Sequence, residues 1–300
     1  MSNYGQKMKR RLAGILVIIA VLSPVSLIRG EDISREYAQW RACRDNLKTN
    51  SSLVLYYTME EGAGNKVKNL AEGGIKGIEV EGISFKRTSL LNGDIKGAEW
   101  VKESHIPGKY CLSLGGNGAR MFVSGLPAEI NNLPQKTLMV TLKVLGQGTG
   151  TACPGCGRII DKENDTYNAG WRLWISNPAN NAKDKFRLQY NHNFTEKGGS
   201  WFAQNLLEFH KWYTVAMTYD CTSVSNVPVF YINGEKAGTG WNEGIRGTST
   251  DDSTIELCFG AMGKEAVYWP LWALVDEIAI FNRVLADKEI KDLYGGEWYK

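Results

Sequence analysis

The chain has 300 residues and a net charge of +3, with 43% hydrophobic and 22% charged residues. This composition excludes a mainly disordered chain, because it supplies enough apolar surface to form a core. Five basic residues and no acidic residue lie in the first thirty positions, so the rest of the chain has a net charge of −2. A nucleic-acid-binding protein is excluded on the same ground, since its folded part normally carries a basic patch.

The first thirty residues are predicted to form a signal peptide or a membrane anchor. A basic stretch from Lys7 to Arg11 precedes an uncharged apolar run over 12–22. That run is shorter than the roughly 20 residues of a membrane span, which favours a secretory signal. An uncleaved anchor stays open, because no clear small-residue cleavage motif follows, and it would be the chain's only membrane contact. Both alternatives predict that the body is secreted, periplasmic or at the cell surface.

The elements after the leader predict an all-β domain. Residues 31–52 are charged and predict a short helical spacer. About eleven short strands follow, separated by turn residues: they lie at 53–59, 110–114, 121–123, 137–145, 158–161, 171–175, 186–191, 212–219, 227–233, 254–260 and 273–281. Asn233-Gly234 predicts a type I′ hairpin, and the domain's one helix is predicted over 286–294. Strands without interleaved helices predict an antiparallel two-sheet sandwich.

The cysteines are candidates for disulfides. An exported chain with an even number of them predicts up to three bridges, and the sequence does not choose the pairing. The local motif Cys153-Pro-Gly-Cys156 allows a small disulfide loop, two cysteines paired elsewhere, a redox dithiol or half of a zinc site. A structural disulfide of one of the first two kinds is favoured, because the flanks are glycine-rich and strand-like and no second metal-binding pair occurs. The six candidates are Cys43, Cys111, Cys153, Cys156, Cys221 and Cys258.

The sequence gives little support to a hydrolytic enzyme. Asp276 and Glu277 are adjacent, so they should point to opposite faces of a regular strand. Asp161 and Glu163 have the spacing of a same-face pair, but they lie in a charged stretch where we expect a solvated turn. No Gly-x-Ser-x-Gly motif accompanies the three histidines. An enzymatic function therefore stays open, but these residues favour a non-catalytic protein.

Five stretches together resemble the laminin-G-like, concanavalin A-like lectin/glucanase jelly-roll domain. They occur in the family's order, at 53–70, 107–123, 210–234, 255–261 and 274–286. The resemblance implies an antiparallel two-sheet jelly-roll sandwich over 53–297, ending in a short C-terminal helix. One departure is the turn at 115–120, which lacks the aspartates that the family commonly has there.

The resemblance also implies a calcium site. Its candidate ligands are Glu60 and Glu61 from the opening motif, Asn69 where relatives often carry an acidic residue, and Asp276 from the closing motif. Calcium takes six to eight oxygen ligands, and the missing turn aspartates reduce the supply. The alternative is that Asp276 and Glu277 hydrogen-bond to the backbone.

Glycan binding is the role that this fold suggests where catalytic residues are lacking. A sugar presents an apolar ring face and hydroxyl edges, so its sites combine a flat aromatic ring with amides and acids. The candidate binding residues are Trp201, Trp241, Asn242 and Trp269, of which Trp241 has the most polar surroundings. Trp171 and Trp174 lie three apart on one strand, so we expect at least one of them in the core.

These observations predict an exported, non-catalytic binding module. Its partner would be a glycan or an extracellular or cell-surface protein, with calcium as an assisting ion. One alternative is a structural or adhesive module of a surface assembly, favoured by exposed aromatic side chains without polar neighbours. The other is a glycoside hydrolase or lyase, favoured by two carboxylates on one concave surface.

Overall fold

A computed structural model of the chain describes residues 35–72, 93–123, 126, 130–149, 155–177, 184–241, 245–263 and 268–294. The predicted leader, Cys153 and Asn242 lie outside these residues. The described part contains two helices, α1 (Arg35–Lys48) and α2 (Asp287–Tyr294). In chain order its strands are β1 (Leu53–Tyr57), β2 (Lys66–Val67), β3 (Gly93–Lys96), β4 (Glu99–Val101), β5 (Cys111–Gly115), β6 (Arg120–Val123), β7 (Gln135–Gly146), β8 (Gly157–Glu163), β9 (Gly170–Ser176), β10 (Lys185–His192), β11 (Gly199–Glu208), β12 (Trp212–Asp220), β13 (Val229–Ile232), β14 (Glu235–Lys236), β15 (Thr239–Trp241), β16 (Leu257–Phe259) and β17 (Trp272–Phe281).

The strands form two antiparallel sheets. Sheet A has the order β14-β13-β12-β7-β17-β5-β4, with β1 also paired to β17. Sheet B has the order β15-β11-β10-β9-β8-β16-β6-β3-β2. Neighbours in each sheet are often distant in sequence, as when β17 runs between β5 and β7. The predicted all-β, two-sheet jelly-roll sandwich is therefore confirmed.

The core lies between the two sheets and follows the two-residue period of the strands. On β9, Trp171, Leu173 and Ile175 are buried in the main apolar cluster. The intervening Arg172 and Trp174 are only partly buried, so they lie on the outer face of sheet B. This alternation confirms that one of the two β9 tryptophans belongs to the core.

Helix α1 packs on the sandwich and is not a detached spacer. It forms where a charged helical segment was predicted, and it buries Trp40, Arg44 and Leu47. The Arg44 guanidinium reaches Glu277 of β17, with its Nε 2.9 Å from Oε1. A buried arginine is stable there because its charge is paired and hydrogen-bonded. Helix α1 is thus held to the outer face of sheet A by an ion pair as well as by apolar burial.

All eleven predicted strands and the C-terminal helix are present. The type I′ hairpin is also present, since Asn233 and Gly234 both have positive φ angles, of 52° and 78°. The prediction missed one long strand, β11, which has ten residues. Its sequence GSWFAQNLLE begins with Gly199 and has two adjacent leucines, so its apolar residues alternate imperfectly.

The prediction for Asp276 and Glu277 is wrong, because β17 is not a regular strand there. The pairing of β17 with β7 shifts register between Val275 and Glu277. A bulge of this kind inserts one extra residue and re-aims the side chains after it. Val275 and Ile278 both face the core, so the adjacent carboxylates share the outer face of sheet A.

Four of the six candidate cysteines do not form disulfides. Cys43, Cys111, Cys221 and Cys258 all carry free thiols. Cys43 is exposed on α1, whereas the other three are buried on separate elements. The thiols of Cys221 and Cys258 donate to backbone carbonyls, at 3.2 Å to Pro134 and 3.4 Å to Gly263. A loop disulfide in the Cys153-Pro-Gly-Cys156 motif stays a prediction, and Cys156 is buried.

Candidate functional site

The three predicted glycan-binding residues that the structure describes, Trp201, Trp241 and Trp269, do not form one group. Trp201 is fully buried in the core, where its ring centroid lies 6.1 Å from that of Tyr190. Trp241, its cross-strand neighbour on the edge strand β15, keeps 59% of its surface exposed. Trp269 is partly buried over the outer face of sheet B. Assigning Trp201 to a surface site was therefore wrong, because β11 turns that side chain inwards.

The outer face of sheet B carries a group of charged side chains that the sequence did not predict as a site. Strand β8 pairs with β9 so that Arg158 lies opposite Trp174 and Asp161 lies opposite Arg172. Directly opposed residues in an antiparallel pair share a face. Glu163 contacts both arginines from the same face. The expectation that Asp161 and Glu163 lie in a solvated turn is wrong, because they are inside strand β8 and buried.

Ion pairs connect the charges on this face. Arg158 Nη2 lies 3.1 Å from Glu163 Oε2, and Arg172 Nη1 contacts the same oxygen. Arg158 Nε lies 3.5 Å from Asp161 Oδ1. The other Glu163 oxygen accepts a 3.0 Å hydrogen bond from the side-chain amide of Asn193. Glu163 is therefore fully engaged, whereas Asp161 has a long contact with Arg158 and a backbone hydrogen bond from Gly263.

Two tryptophans cover the arginines. The rings of Trp174 and Trp269 are stacked, with centroids 6.3 Å apart and an interplanar angle of 19°. The guanidinium of Arg158 lies 4.0 Å from the centroid of Trp269, and that of Arg172 lies 5.3 Å from the centroid of Trp174. Cation–π contacts of this kind are worth about 2 kcal/mol when they are desolvated. We call these six residues the Arg–Trp cluster: Arg158, Asp161, Glu163, Arg172, Trp174 and Trp269.

The Arg–Trp cluster contains buried polar atoms that have no hydrogen-bond partner among the described residues, including Asp161 Oδ1. Arg158 Nη1, Arg172 Nε and Trp269 Nε1 are buried and have no hydrogen-bond partner among the described residues. Burial raises the pKa of Asp161 to about 7, although Arg158 counteracts that rise. Buried donors normally have a partner in the protein, in water or in a ligand. The cluster thus has the electrostatic character of a site for an acceptor-rich group.

The rim of the cluster combines aromatic and amide groups. Trp174 Nε1 donates a 2.7 Å hydrogen bond to the side-chain oxygen of Asn191. Tyr167 lies beside Trp269, with ring centroids 5.4 Å apart, and it is 43% exposed. Arg172 keeps 12% of its side chain accessible, whereas the side chain of Arg158 is fully buried. These are the group types that a sugar site requires.

The sequence could have indicated part of this cluster. In Trp171-Arg-Leu-Trp174, alternation puts Arg172 and Trp174 on one face once Trp171 is assigned to the core. The contribution of Arg158 was harder to find, because β8 shifts register between Arg158 and Ile160. That irregularity is what brings Arg158 to the outer face with Asp161 and Glu163.

The four predicted calcium ligands do not fit a calcium site. The Asp276 carboxylate contacts the ammonium group of Lys109 and the ring of His105, and it accepts a 2.6 Å hydrogen bond from Ser104. A lysine ammonium in direct contact occupies the place that a cation would take. Asn69 Oδ1 already accepts from the backbone N–H groups of Tyr56 and Ala71.

The two glutamates of the opening motif are engaged as well. Glu60 accepts hydrogen bonds from the hydroxyl groups of Tyr37 and Thr58, at 2.7 and 2.8 Å. Glu61 accepts one from the backbone N–H of Lys68. Within the described residues, no group of three or more His, Cys, Asp or Glu side chains could hold a metal ion.

A separate cavity of about 440 Å³ lies at the end of the sandwich. Polar side chains make up most of its lining, which also includes the apolar side chains of Phe194 and Val224. Unlike the Arg–Trp cluster, its lining contains neither a tryptophan nor a basic side chain. The polar residues are Asn132, Thr222, Thr248, Ser249, Thr250 and Asp251.

Sequence and structure comparisons agree with this fold. Residues 151–291 match the family model described as the concanavalin A-like lectin/glucanases superfamily, which confirms the resemblance. A search of curated proteins finds no match. The matched segment contains all six residues of the Arg–Trp cluster.

The binding domains of several toxins have a similar structure. The binding domain of Paraclostridial Mosquitocidal Protein 1 has a TM-score of 0.55 and 13% identity, over 81% of this chain and 52% of that one. The botulinum neurotoxin serotype D ligand-binding domain, in complex with N-acetylneuraminic acid, has a TM-score of 0.53 and 15% identity, over 84% and 52%. The botulinum neurotoxin DC binding domain, in complex with rat synaptotagmin II, has a TM-score of 0.51 and 14% identity, over 82% and 52%.

These comparisons support the fold seen in the structure, a concanavalin A-like jelly roll. This chain spans about half the length of the similar toxin structures, and at these identities the likeness concerns the fold. In the described part of the chain, no helix is both long and apolar enough to cross a membrane.

Proposed function

We propose that this domain is a non-catalytic binding module that holds a glycan on the outer face of sheet B. The observation that carries the proposal is the stacked pair of Trp174 and Trp269, with Asn191 and Arg172 at its edge. An indole face packs against the C–H groups of a pyranose, while amide and guanidinium groups bind its hydroxyl edge. The fold alone does not identify a function, so the proposal depends on these side chains.

The similar structures support a binding role. One of them is a ligand-binding domain in complex with N-acetylneuraminic acid, and another is in complex with the protein synaptotagmin II. A glycan is favoured over a protein partner here, because the described aromatic rings of the cluster have polar neighbours. Export, to the cell surface, the periplasm or the medium, is part of the same proposal and depends on the predicted leader.

Glycan-array binding of the purified protein tests this proposal. We expect a defined set of glycans to bind, and Trp174→Ala to weaken that binding by at least about tenfold, equivalent to about 1.4 kcal/mol. Trp241→Ala is the matched control, since it removes an exposed tryptophan at the edge of the same sheet. Equal losses in both variants, or binding lost only in Trp241→Ala, would contradict the proposed location.

A hydrolase is the second candidate, because Asp161 and Glu163 share one strand face. The high pKa of Asp161, about 7, is of the kind that a general acid has. Against it, Glu163 is held by two arginines and Asn193, and both carboxyl groups are buried. Release of reducing sugar from a bound glycan, abolished by Asp161→Asn, would establish this alternative and overturn the non-catalytic one.

Calcium assistance stays a separate question that a melting experiment can answer. We propose no role for calcium through Glu60, Glu61, Asn69 or Asp276, since their oxygens already have protein partners. A ligand that binds only the folded state raises the melting temperature. We therefore expect equal melting temperatures in EDTA and in calcium, and a calcium-dependent rise that is lost in Asp276→Asn would contradict this.

A further inference from the structure

We propose that the Arg–Trp cluster recognises an acidic sugar, whose carboxylate is bound by Arg172 above the buried charge of Arg158. This inference rests on the proposed function and names the chemical class of its ligand. It depends on the unpaired donors of the cluster, on the charge of the cluster, and on the partly exposed side chain of Arg172.

Three buried hydrogen-bond donors of the cluster support this inference. Arg158 Nη1, Arg172 Nε and Trp269 Nε1 are all buried without a hydrogen-bond partner in the described part of the chain. Leaving a buried donor unpaired is costly, and more so for a charged group. Glu163 is already used, because it accepts from both arginines and from Asn193. Asp161 Oδ1 accepts no hydrogen bond, although it lies 3.5 Å from Arg158 Nε. These buried donors are closed to direct contact with a ligand, so an anionic group bound at Arg172 would act on the guanidinium charge beneath it.

The balance of charge within the cluster also supports this inference. The cluster has two guanidinium groups but only one carboxylate, Glu163, in contact with both of them. Burial raises the pKa of Asp161 to about 7, which weakens its negative charge near neutral pH. The cluster therefore has an excess of positive charge beneath its tryptophans. An additional anion would balance that excess, whereas a neutral sugar would not.

The exposure and position of the two arginines indicate which one binds the carboxylate of the sugar. Arg158 is completely buried under Trp269, so it acts on a ligand through its charge. Arg172 keeps 12% of its side chain exposed and lies against the Trp174 ring. A guanidinium binds a carboxylate through two parallel hydrogen bonds, and such charge-assisted bonds are about twice as strong as neutral ones. A pyranose ring on Trp174 would place a ring-bound carboxylate beside Arg172.

The test compares acidic sugars with their own methyl esters. Titration calorimetry is performed with methyl glycosides of glucuronic, galacturonic and sialic acids, and with the corresponding esters, at low and high salt. We expect at least one acid to bind about tenfold or more tightly than its ester, and we expect salt to reduce the difference. This comparison uses the unmodified protein, so it does not depend on whether a variant folds.

Variants then locate the carboxylate. Arg172→Gln should remove the preference for the acid over the ester, and Arg172→Lys should restore part of it, because the charge returns without the planar fork. Arg35→Gln is the control, since Arg35 is an exposed arginine on α1, which packs against sheet A. Melting curves show that each variant is folded.

Each outcome has a separate meaning. Equal affinity for acid and ester overturns the acidic-sugar inference and leaves the glycan proposal standing. A preference for the acid that persists in Arg172→Gln overturns the assignment of the carboxylate to Arg172. If neither these sugars nor any member of the glycan array binds, both the inference and the proposed function are wrong.

Discussion

The guanidinium of Arg158 lies 4.0 Å from the centroid of the Trp269 ring, on the outer face of sheet B. Trp269 makes this contact from a left-handed backbone conformation, with a φ angle of 51°. That conformation costs a bulky residue roughly 1–2 kcal/mol, and the stacking on Arg158 and Trp174 offsets it. Backbone strain of this kind often lies at functional sites, which agrees with a binding role for this face.

The two paired tryptophans Trp201 and Trp241 should differ sharply in their effect on stability. Trp201 is fully buried against Tyr190 and Tyr219, whereas Trp241 is 59% exposed. Trp201→Ala should lower the free energy of unfolding by about 3–5 kcal/mol, because it leaves a large cavity. Trp241→Ala should change it by no more than about 0.5 kcal/mol. Urea denaturation measures both values, and similar losses in the two variants would contradict the burial described.

The contact of α1 with sheet A should make the fold sensitive to acid. Burial raises the pKa of Glu277, but Arg44 and Lys109 lower it further, to about 2 from an ordinary value of 4.5. Because the folded pKa is depressed, this stabilisation is present above pH 4.5 and is lost as the pH falls towards 2. The shift corresponds to about 3 kcal/mol.

Arg44→Met tests that contact directly. It leaves a buried carboxylate without its main partner, and such a loss typically costs about 3–5 kcal/mol. In Glu277→Gln the loss of stability between pH 5 and pH 3 should be smaller than in the unmodified protein. Denaturation at several pH values measures both effects. A Glu277→Gln profile as steep as that of the unmodified protein would show that folding does not lower the pKa of Glu277.

Thiol alkylation should distinguish exposed from buried cysteines. Cys43 is exposed, whereas burial raises the pKa of Cys111 to about 11 and that of Cys258 to about 12. Without reductant, native protein should be labelled at Cys43 alone among the four free thiols. Denatured protein should be labelled at all four, which also include Cys221. Mass spectrometry reads the result, and three disulfides would instead leave the denatured chain unlabelled.

Binding of an acidic sugar should strengthen at mildly acidic pH. Burial raises the pKa of Asp161 to about 7, so this carboxyl group gains a proton as the pH falls from 8 to 6. The cluster then loses a negative charge, while the sugar carboxylate stays ionised. We expect affinity to rise several-fold over this range in titration calorimetry. In Asp161→Asn the affinity should be nearly constant, and a fall in affinity at pH 6 would contradict the assignment.

The fold could be predicted from sequence because its signals are local. The alternation in strands such as β7 and β9, and the Asn233-Gly234 turn, depend on neighbouring residues alone. The strand that was missed, β11, is the one whose alternation is interrupted at Leu206 and Leu207. Burial of these residues depends on strands β10 and β15 beside them, which no local pattern describes.

The candidate site was harder to predict, because it depends on register and on contacts between distant loops. The bulge in β17 turns Asp276 and Glu277 to one face, and the irregularity in β8 does the same for Arg158 and Asp161. Trp269 was chosen for its loop position, and the structure shows that it covers arginines from two strands. Neither bulge leaves a mark in the sequence that alternation can detect.

The most direct test of the account is tryptophan footprinting with and without a bound glycan. Oxidative labelling followed by mass spectrometry reports the accessibility of each tryptophan separately. We predict that a saturating glycan protects Trp174 and Trp269 and leaves Trp241 as reactive as before. Protection of Trp241, with Trp174 and Trp269 unchanged, would show that the glycan binds at the edge of sheet B and would contradict a site on its outer face.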